Sequence, residues 1–217
     1  MKNKLFSAFV LLSTVLHFSI AASCAQEPNG STEQTKTVTL LMEQARTEGK
    51  IGNTRNLIDI LSKVINIDHE NGEAYYERGA GHYVLGENND SIEDYTKAII
   101  LKYKVSEALS NRGMVYLVMG NYSKAKEDFD MSIESQPSSE AYSNRASYYI
   151  MLKDYGSAIR DGRQAISLNP KDAKACFNVA SAYVGLGDMR NGVEFLQQAC
   201  DLGYQRACDI LRQRFGR

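Results

Sequence analysis

Histidine and cysteine are the residues of this sequence that could most readily bind a metal or take part in catalysis. The histidines, His17, His69 and His82, are scattered along the chain, and no metal-ligand set can be assembled from them and the four cysteines. The sequence also lacks a serine nucleophile elbow and a phosphate-binding glycine loop after a strand. We therefore predict no enzymatic activity, no metal and no cofactor.

Two of the cysteines, Cys200 and Cys208, stand on either side of a predicted turn between helices. In an oxidising compartment such a pair can form a disulfide, and two inert buried thiols are the alternative. Cys176 falls in a predicted core position and would remain unpaired, although an odd cysteine in an oxidising compartment can also pair between chains.

The composition limits the partners that the protein can bind. Lysine and arginine number 25 against 26 aspartates and glutamates, so the chain lacks the cationic excess that nucleic-acid binding favours. We therefore expect no nucleic acid. Hydrophobic residues make up 43% of the chain and only 3 residues are proline, which favours a water-soluble and largely helical protein.

The N-terminal segment has the arrangement of a secretory signal peptide. A basic start at 1–4 is followed by an apolar run at 5–22 and by Ser23. The sequence up to Cys24 resembles the lipobox of bacterial lipoproteins, in which the cysteine becomes the lipidated first residue. Cleavage after Ala25 without lipidation, and retention of the apolar run as a membrane helix, are the alternatives.

We predict a signal peptide at 1–23, lipidation of Cys24 and a flexible tether at 24–37. The tether is polar and contains no large apolar residue, so it cannot bury enough surface to fold by itself. These features predict a protein outside the cytoplasm. It would be periplasmic or a membrane-anchored lipoprotein in a bacterium, and secreted otherwise.

The remainder of the chain is built from repeats. Similar segments recur every 33 or 34 residues, at 75–79, 109–113, 142–146 and 176–180, and a second series follows in register at 95–98, 129–132, 162–165 and 196–199. Each unit contains two apolar stretches with helical spacing, separated by turn-forming residues. Each unit is therefore predicted to be a hairpin of two helices.

This pattern resembles the tetratricopeptide repeat family, in which small, aromatic and alanine positions recur on the two helices. The unit at 106–138 fits best, with Gly113, Tyr116, Ala125 and Phe129 in the expected positions. The resemblance implies an all-α fold, an α-solenoid of about five such hairpins plus a C-terminal capping helix. We assign a degenerate repeat to 38–71, further repeats to 72–105, 106–138, 139–172 and 173–206, and the capping helix and tail to 207–217.

An arginine recurs at one position of the first helix in three repeats, where the family usually has leucine. An aspartate recurs at one position of the second helix in the same repeats, and both positions become apolar in the last repeat. Because a half-buried, unpaired arginine would be costly, we predict a contact within each hairpin rather than a row that captures anions. The pairs are Arg78 with Asp94, Arg112 with Asp128 and Arg145 with Asp161, replaced by Val179 with Phe195.

The resemblance also implies a concave groove, lined by the first helices, that holds a peptide or a helix of a partner protein. The side chains expected along this groove are Tyr76, Tyr83, Asn111, Met114, Asn144, Ser147, Phe177, Asn178 and Ser181. The asparagines could bind an extended backbone, because an amide both donates and accepts hydrogen bonds, and solvation is the alternative. Glutamates on the same surface favour a basic or neutral partner segment.

We therefore predict a non-enzymatic interaction scaffold that binds a protein partner in an envelope or secretory assembly. The sequence specifies neither the partner nor the oligomeric state. The spacing of Cys200 and Cys208 is similar to that of the cysteine-rich Sel1-like repeats, which implies a second function, a secreted effector or a protein that binds cell-wall fragments. The uniform repeat length favours the first function.

Overall fold

The computed structural model describes residues 29–216, so the signal peptide, Cys24 and the start of the tether lie outside it. All regular structure in this range is α-helical, which confirms the predicted fold class. The helices are α1 (Asn29–Lys50), α2 (Thr54–Ile67), α3 (Gly72–Leu85), α4 (Asn88–Ile100), α5 (Val105–Val118), α6 (Tyr122–Ser135), α7 (Ser139–Met151), α8 (Tyr155–Leu168), α9 (Ala173–Gly185), α10 (Met189–Asp201) and α11 (Gln205–Phe215). No helix among the described residues is long and apolar enough to cross a membrane.

Consecutive helices pack in pairs as hairpins, from α1 with α2 to α9 with α10, and α11 packs on α10. The first helices of the later hairpins, α3, α5, α7 and α9, also contact one another, whereas the second helices in the described range make no comparable contacts among themselves. The layer of first helices is therefore the more closely spaced one, and the stack curves around it. We call the surface formed by α3, α5, α7 and α9 the first-helix face.

The turns inside the hairpins follow from local backbone chemistry. After α5, Gly120 has a φ of 75°, a left-handed conformation that glycine adopts without steric cost. The next residue, Asn121, caps α6 by accepting a hydrogen bond from the backbone N–H of Lys124. The same arrangement recurs between α9 and α10 at Gly187 and Asp188.

Helix α1 differs from the sequence-based expectation. Residues 29–37, predicted as part of the flexible tether, form its first turns, although the side chains at 32–36 are exposed. The polar composition correctly indicated the lack of burial but does not exclude a helix that continues into the packed part of α1, because propagation needs no new nucleus. At the other end, the capping helix begins at Gln205 rather than 207.

Each predicted arginine contact is present and joins three helices. Arg112 donates from Nε and Nη2 to the two carboxylate oxygens of Asp128 at 2.8 and 2.7 Å, and from Nη1 to the hydroxyl of Thr96 on α4 at 2.8 Å. Arg78 binds Asp94, and Arg145 binds Asp161, in the same bidentate geometry. Their third partners are Ser62 on α2 and Asp130 on α6.

A missing aromatic residue is compensated by the next hairpin. The family pattern places an aromatic side chain where α8 has Gly162. A Cβ atom at Gly162 would lie 2.5 Å from Cγ2 of Val179, so the valine of α9 fills that space. An aromatic side chain at position 162 would therefore clash with Val179.

The cysteines of the described chain are in two different states. The Sγ atoms of Cys200 and Cys208 are 2.07 Å apart, and this disulfide links α10 to α11. Cys176 is free and only 1% exposed, and burial raises the pKa of its thiol. Pairing between chains through Cys176, an option for an odd cysteine, would require the last hairpin to open.

Replacing Asp128 with alanine should lower the free energy of unfolding by about 3 kcal/mol, because Arg112 would stay half-buried without its carboxylate. The double variant Arg112→Val with Asp128→Phe copies the apolar pair Val179 and Phe195 and should lose less than the single variant. Urea unfolding followed by circular dichroism measures both losses. A double variant less stable than Asp128→Ala would contradict the desolvation argument.

Mass spectrometry of the non-reduced, digested protein should recover the peptides of Cys200 and Cys208 linked to each other. In the native protein Cys176 should resist a soluble maleimide, because its thiol is both protonated and inaccessible, and it should react after denaturation. Labelling of Cys200 or Cys208 without reduction would show that the disulfide does not form.

Candidate functional site

The predicted asparagines join neighbouring first helices. Asn111 donates to the phenol oxygen of Tyr76 at 3.0 Å, and Asn144 donates to the hydroxyl of Ser110 at 2.7 Å. Asn178 donates to the carbonyl of Ser143 at 2.8 Å. Each amide therefore reaches back to the first helix of the preceding hairpin.

This geometry gives two of these asparagines partners inside the fold. Asn144 and Asn178 are only 3% and 5% exposed, and their amide groups are bonded within the fold. A buried amide that already has partners gains nothing by binding a ligand backbone. The amide nitrogens of both side chains are thus used inside the fold, their contact with an extended segment stays a prediction, and Asn111, which is half-buried, is bonded to Tyr76.

The other predicted groove residues stay partly accessible on the first-helix face. Ser147 and Ser181 use their hydroxyls within their own helices, donating to the carbonyls of Ser143 and Phe177. The rings of Tyr76 and Tyr95 meet edge to face with centroids 5.7 Å apart. The half-buried members of the set are Tyr76, Tyr83, Asn111, Met114, Ser147, Phe177 and Ser181.

An exposed apolar row runs along the same face. Val84, Val118 and Met151 occupy the same position of α3, α5 and α7, and they are 70%, 56% and 53% exposed. The sequence analysis missed them, although their spacing follows the repeat. Exposed apolar side chains in a regular series are a feature of interaction surfaces. We call these three residues the apolar row.

An acidic patch, Glu77, Glu107 and Glu140, surrounds the phenol of Tyr76. Burial raises the pKa of Tyr76 to about 12, and all three carboxylates add to this effect. Burial also raises the pKa of Glu77. Within the described residues none of the three forms an ion pair, while Lys104 and Arg46 oppose the upward pKa shift of Glu77 through their charges.

Two cations border the acidic patch. Lys104 lies over the ring of Tyr76 with its ammonium 5.0 Å from the centroid. Lys174 on α9 donates to the amide oxygen of Asn144, and burial lowers the pKa of Lys174 while Glu140 and Asp172 oppose that shift. The acidic patch therefore has two cations near it, Lys104 before α5 and Lys174 on α9.

A crevice lies at each end of the stack. The N-terminal crevice, between α1, α2 and α3, encloses about 420 Å³ and carries Arg46 and Glu73, which form an ion pair at 2.8 Å. The C-terminal pocket, between α9, α10 and α11, encloses about 260 Å³ and contains Phe177 and Ser181. The sequence analysis missed the contribution of α11 to this pocket because it interpreted that helix only as a cap.

Potential metal ligands come together at one place in residues 29–216. One ligand atom from each of His82, Glu87 and Asp90 lies within 4.8 Å of the others. His82 Nδ1 is already 2.6 Å from a carboxylate oxygen of Glu87, and Nε2 is 3.7 Å from Asp94. The contact with Glu87 already occupies Nδ1 of His82.

Comparison with known proteins identifies the repeats. Models of the tetratricopeptide repeat match residues 106–139, 139–172 and 173–202. No curated protein matches the sequence.

Solved structures with the same fold are distant in sequence. The crystal structure of MamA protein has a TM-score of 0.61 at 22% identity and covers 80% of this chain and 95% of its own. The structure of PilF from Pseudomonas aeruginosa has a TM-score of 0.68 at 15% identity, with 79% and 78% covered. YrrB, described as a TPR protein with an unusual peptide-binding site, has a TM-score of 0.56 at 16% identity, with 80% and 90% covered. Residues 106–202 thus match the tetratricopeptide repeat, and the distant structures show the same fold.

Proposed function

We propose that this protein is a non-enzymatic scaffold, exported from the cytoplasm, whose first-helix face binds a peptide or helix of a partner protein. The partner would belong to an envelope or secretory assembly. The observation that carries the proposal is the apolar row, because three apolar side chains at the same position of α3, α5 and α7 are each exposed by more than half. The distant fold relative YrrB, described as having a peptide-binding site, supports the same kind of ligand.

The surface favours a partner segment with both apolar and basic side chains. The apolar row would cover one side of the segment, and the acidic patch of Glu77, Glu107 and Glu140 would attract lysines or arginines on the other. An amphipathic helix presents such a division, since residues three and four apart share one side. Burial of the apolar row supplies affinity, and the acidic patch selects against acidic segments.

Met151→Lys should abolish capture of the partner from an extracytoplasmic fraction, because it places a cation in the apolar row and repels a basic segment. Met131→Lys on α6 is a matched control, since Met131 is 43% exposed and lies on a second helix. Quantitative mass spectrometry of proteins retained by the parent and the two variants measures the effect. Both variants should keep the circular dichroism spectrum and urea midpoint of the parent.

Retention of the same protein by all three forms would exclude the first-helix face as its binding surface. Loss of the protein in both lysine variants would instead point to a general effect of added charge. Only loss in Met151→Lys, with retention in Met131→Lys, supports the proposal.

A second candidate function is favoured by the disulfide between Cys200 and Cys208, whose spacing resembles that of Sel1-like repeats. This function is a secreted effector or a protein that binds cell-wall fragments. Titration with soluble peptidoglycan fragments separates the two candidates. Binding of fragments that is insensitive to Met151→Lys, without capture of any protein, would favour the second.

Export with a lipid anchor is tested at Cys24. In a bacterial host, labelled palmitate should enter the wild-type protein and should not enter Cys24→Ala, because the modified cysteine carries the acyl chains. The wild-type protein should sediment with membranes, and the variant should be lost from them. Absence of label from the wild-type protein would support plain cleavage or an uncleaved membrane helix instead.

A further inference from the structure

The C-terminal pocket combines an apolar interior with a charged rim. Its walls include Phe177 and Val184 from α9, Leu196 from α10 and Ile210 from α11. Arg206 and Arg214 from α11 also line it, and both are exposed. Neither arginine forms an ion pair within residues 29–216.

The size of the pocket limits its occupant. Its volume of about 260 Å³ is below the range of sites that enclose a drug-sized ligand, and a whole helix is too wide to enter. One bulky apolar side chain is therefore the appropriate occupant, with the rest of the ligand outside.

The position of Arg206 indicates a role beyond helix stability. It lies in the first turn of α11, where the helix dipole disfavours a cation. Its guanidinium is nevertheless held over the ring of Phe177, 5.4 Å from the centroid, at the wall of the pocket. By contrast, Arg212 on the same helix is paired with Asp209 at 3.5 Å and does not line the pocket.

We propose that the C-terminal pocket binds a bulky apolar side chain that stands next to a carboxylate in the partner segment. This inference rests on the proposed function, and it specifies the orientation of the bound segment along the first-helix face. A bound segment would place its basic part over Glu77, Glu107 and Glu140 and its apolar and acidic end at α11. The opposite direction would bring like charges together.

The pocket depends on structure outside the family repeats. The family matches end at residue 202, whereas Arg206, Ile210 and Arg214 follow it. The disulfide from Cys200 to Cys208 holds α11 beside α10 and so keeps the two arginines near Phe177. The arginines proposed to bind the carboxylate therefore belong to the C-terminal helix α11, outside the residues that match the family.

Dipeptide probes test the inference on the full-length protein, by nuclear magnetic resonance titration. Acetyl-phenylalanyl-glutamate amide carries the carboxylate on a side chain, and acetyl-phenylalanyl-glutamine carries it at the chain end. Each charged probe that fits should bind about tenfold more tightly than neutral acetyl-phenylalanyl-glutamine amide. The reason is that Arg206 and Arg214 can bind its carboxylate through charged hydrogen bonds. Acetyl-alanyl-glutamate amide, which lacks the ring, should be as weak as the neutral probe. Shifts should centre on Phe177, Val184 and Ile210.

The combined variant Arg206→Gln with Arg214→Gln should remove the preference for charged probes, whereas Arg212→Gln, the matched control, should keep it. Binding of only one charged probe identifies the source of the carboxylate. Equal binding of charged and neutral probes, equal binding of the alanyl probe, shifts elsewhere, or no binding at all would each overturn the inference.

Failure of the pocket and failure of the proposed function give different results. If no dipeptide binds but partner capture still depends on Met151, the scaffold function stands and the pocket does not. If dipeptides bind in the pocket but no protein is captured, the pocket stands without the proposed function.

Discussion

A guanidinium group shared by three helices is the interaction on which the stack depends. In α3, α5 and α7 one arginine binds an aspartate of its own hairpin and an oxygen on the second helix of the preceding hairpin. A guanidinium has five donors in a fixed plane, so this contact fixes both the hairpin and its orientation to its neighbour. Because the contact lies between first and second helices, the other side of each first helix remains available for a ligand.

The last hairpin is held together differently. Val179 and Phe195 replace the charged pair, and the rings of Tyr183 and Phe195 stack with centroids 5.8 Å apart. Helix α11 packs on the outer side of this hairpin, and the disulfide between Cys200 and Cys208 fastens it there. The last hairpin thus lacks the arginine–aspartate contact and is joined to α11 by a disulfide instead.

The fold could be predicted from the sequence because its residue types recur in every repeat. The arginine contacts could be predicted because the arginine and aspartate positions change together from one repeat to another. The use of Asn144 and Asn178 could not, since an asparagine on a first helix can face solvent, a ligand or the neighbouring helix. The distance between first helices decides between these, and no sequence position encodes it. The residues of the apolar row also recur at the repeat spacing in the sequence. Apolar residues are ordinarily assigned to the core, however, so their exposure was not predicted.

The same contacts determine how selective the first-helix face can be. Its asparagine amides are bonded inside the fold, so they offer few hydrogen bonds to the backbone of a bound segment. Selectivity then depends on the partner's side chains, through apolar contact with Val84, Val118 and Met151 and through charge. Carboxylates near Tyr76 at one end, and Arg206 and Arg214 of α11 at the other, make the two ends of the face unlike. A partner can therefore be distinguished by the order of its charges, and not only by their sum.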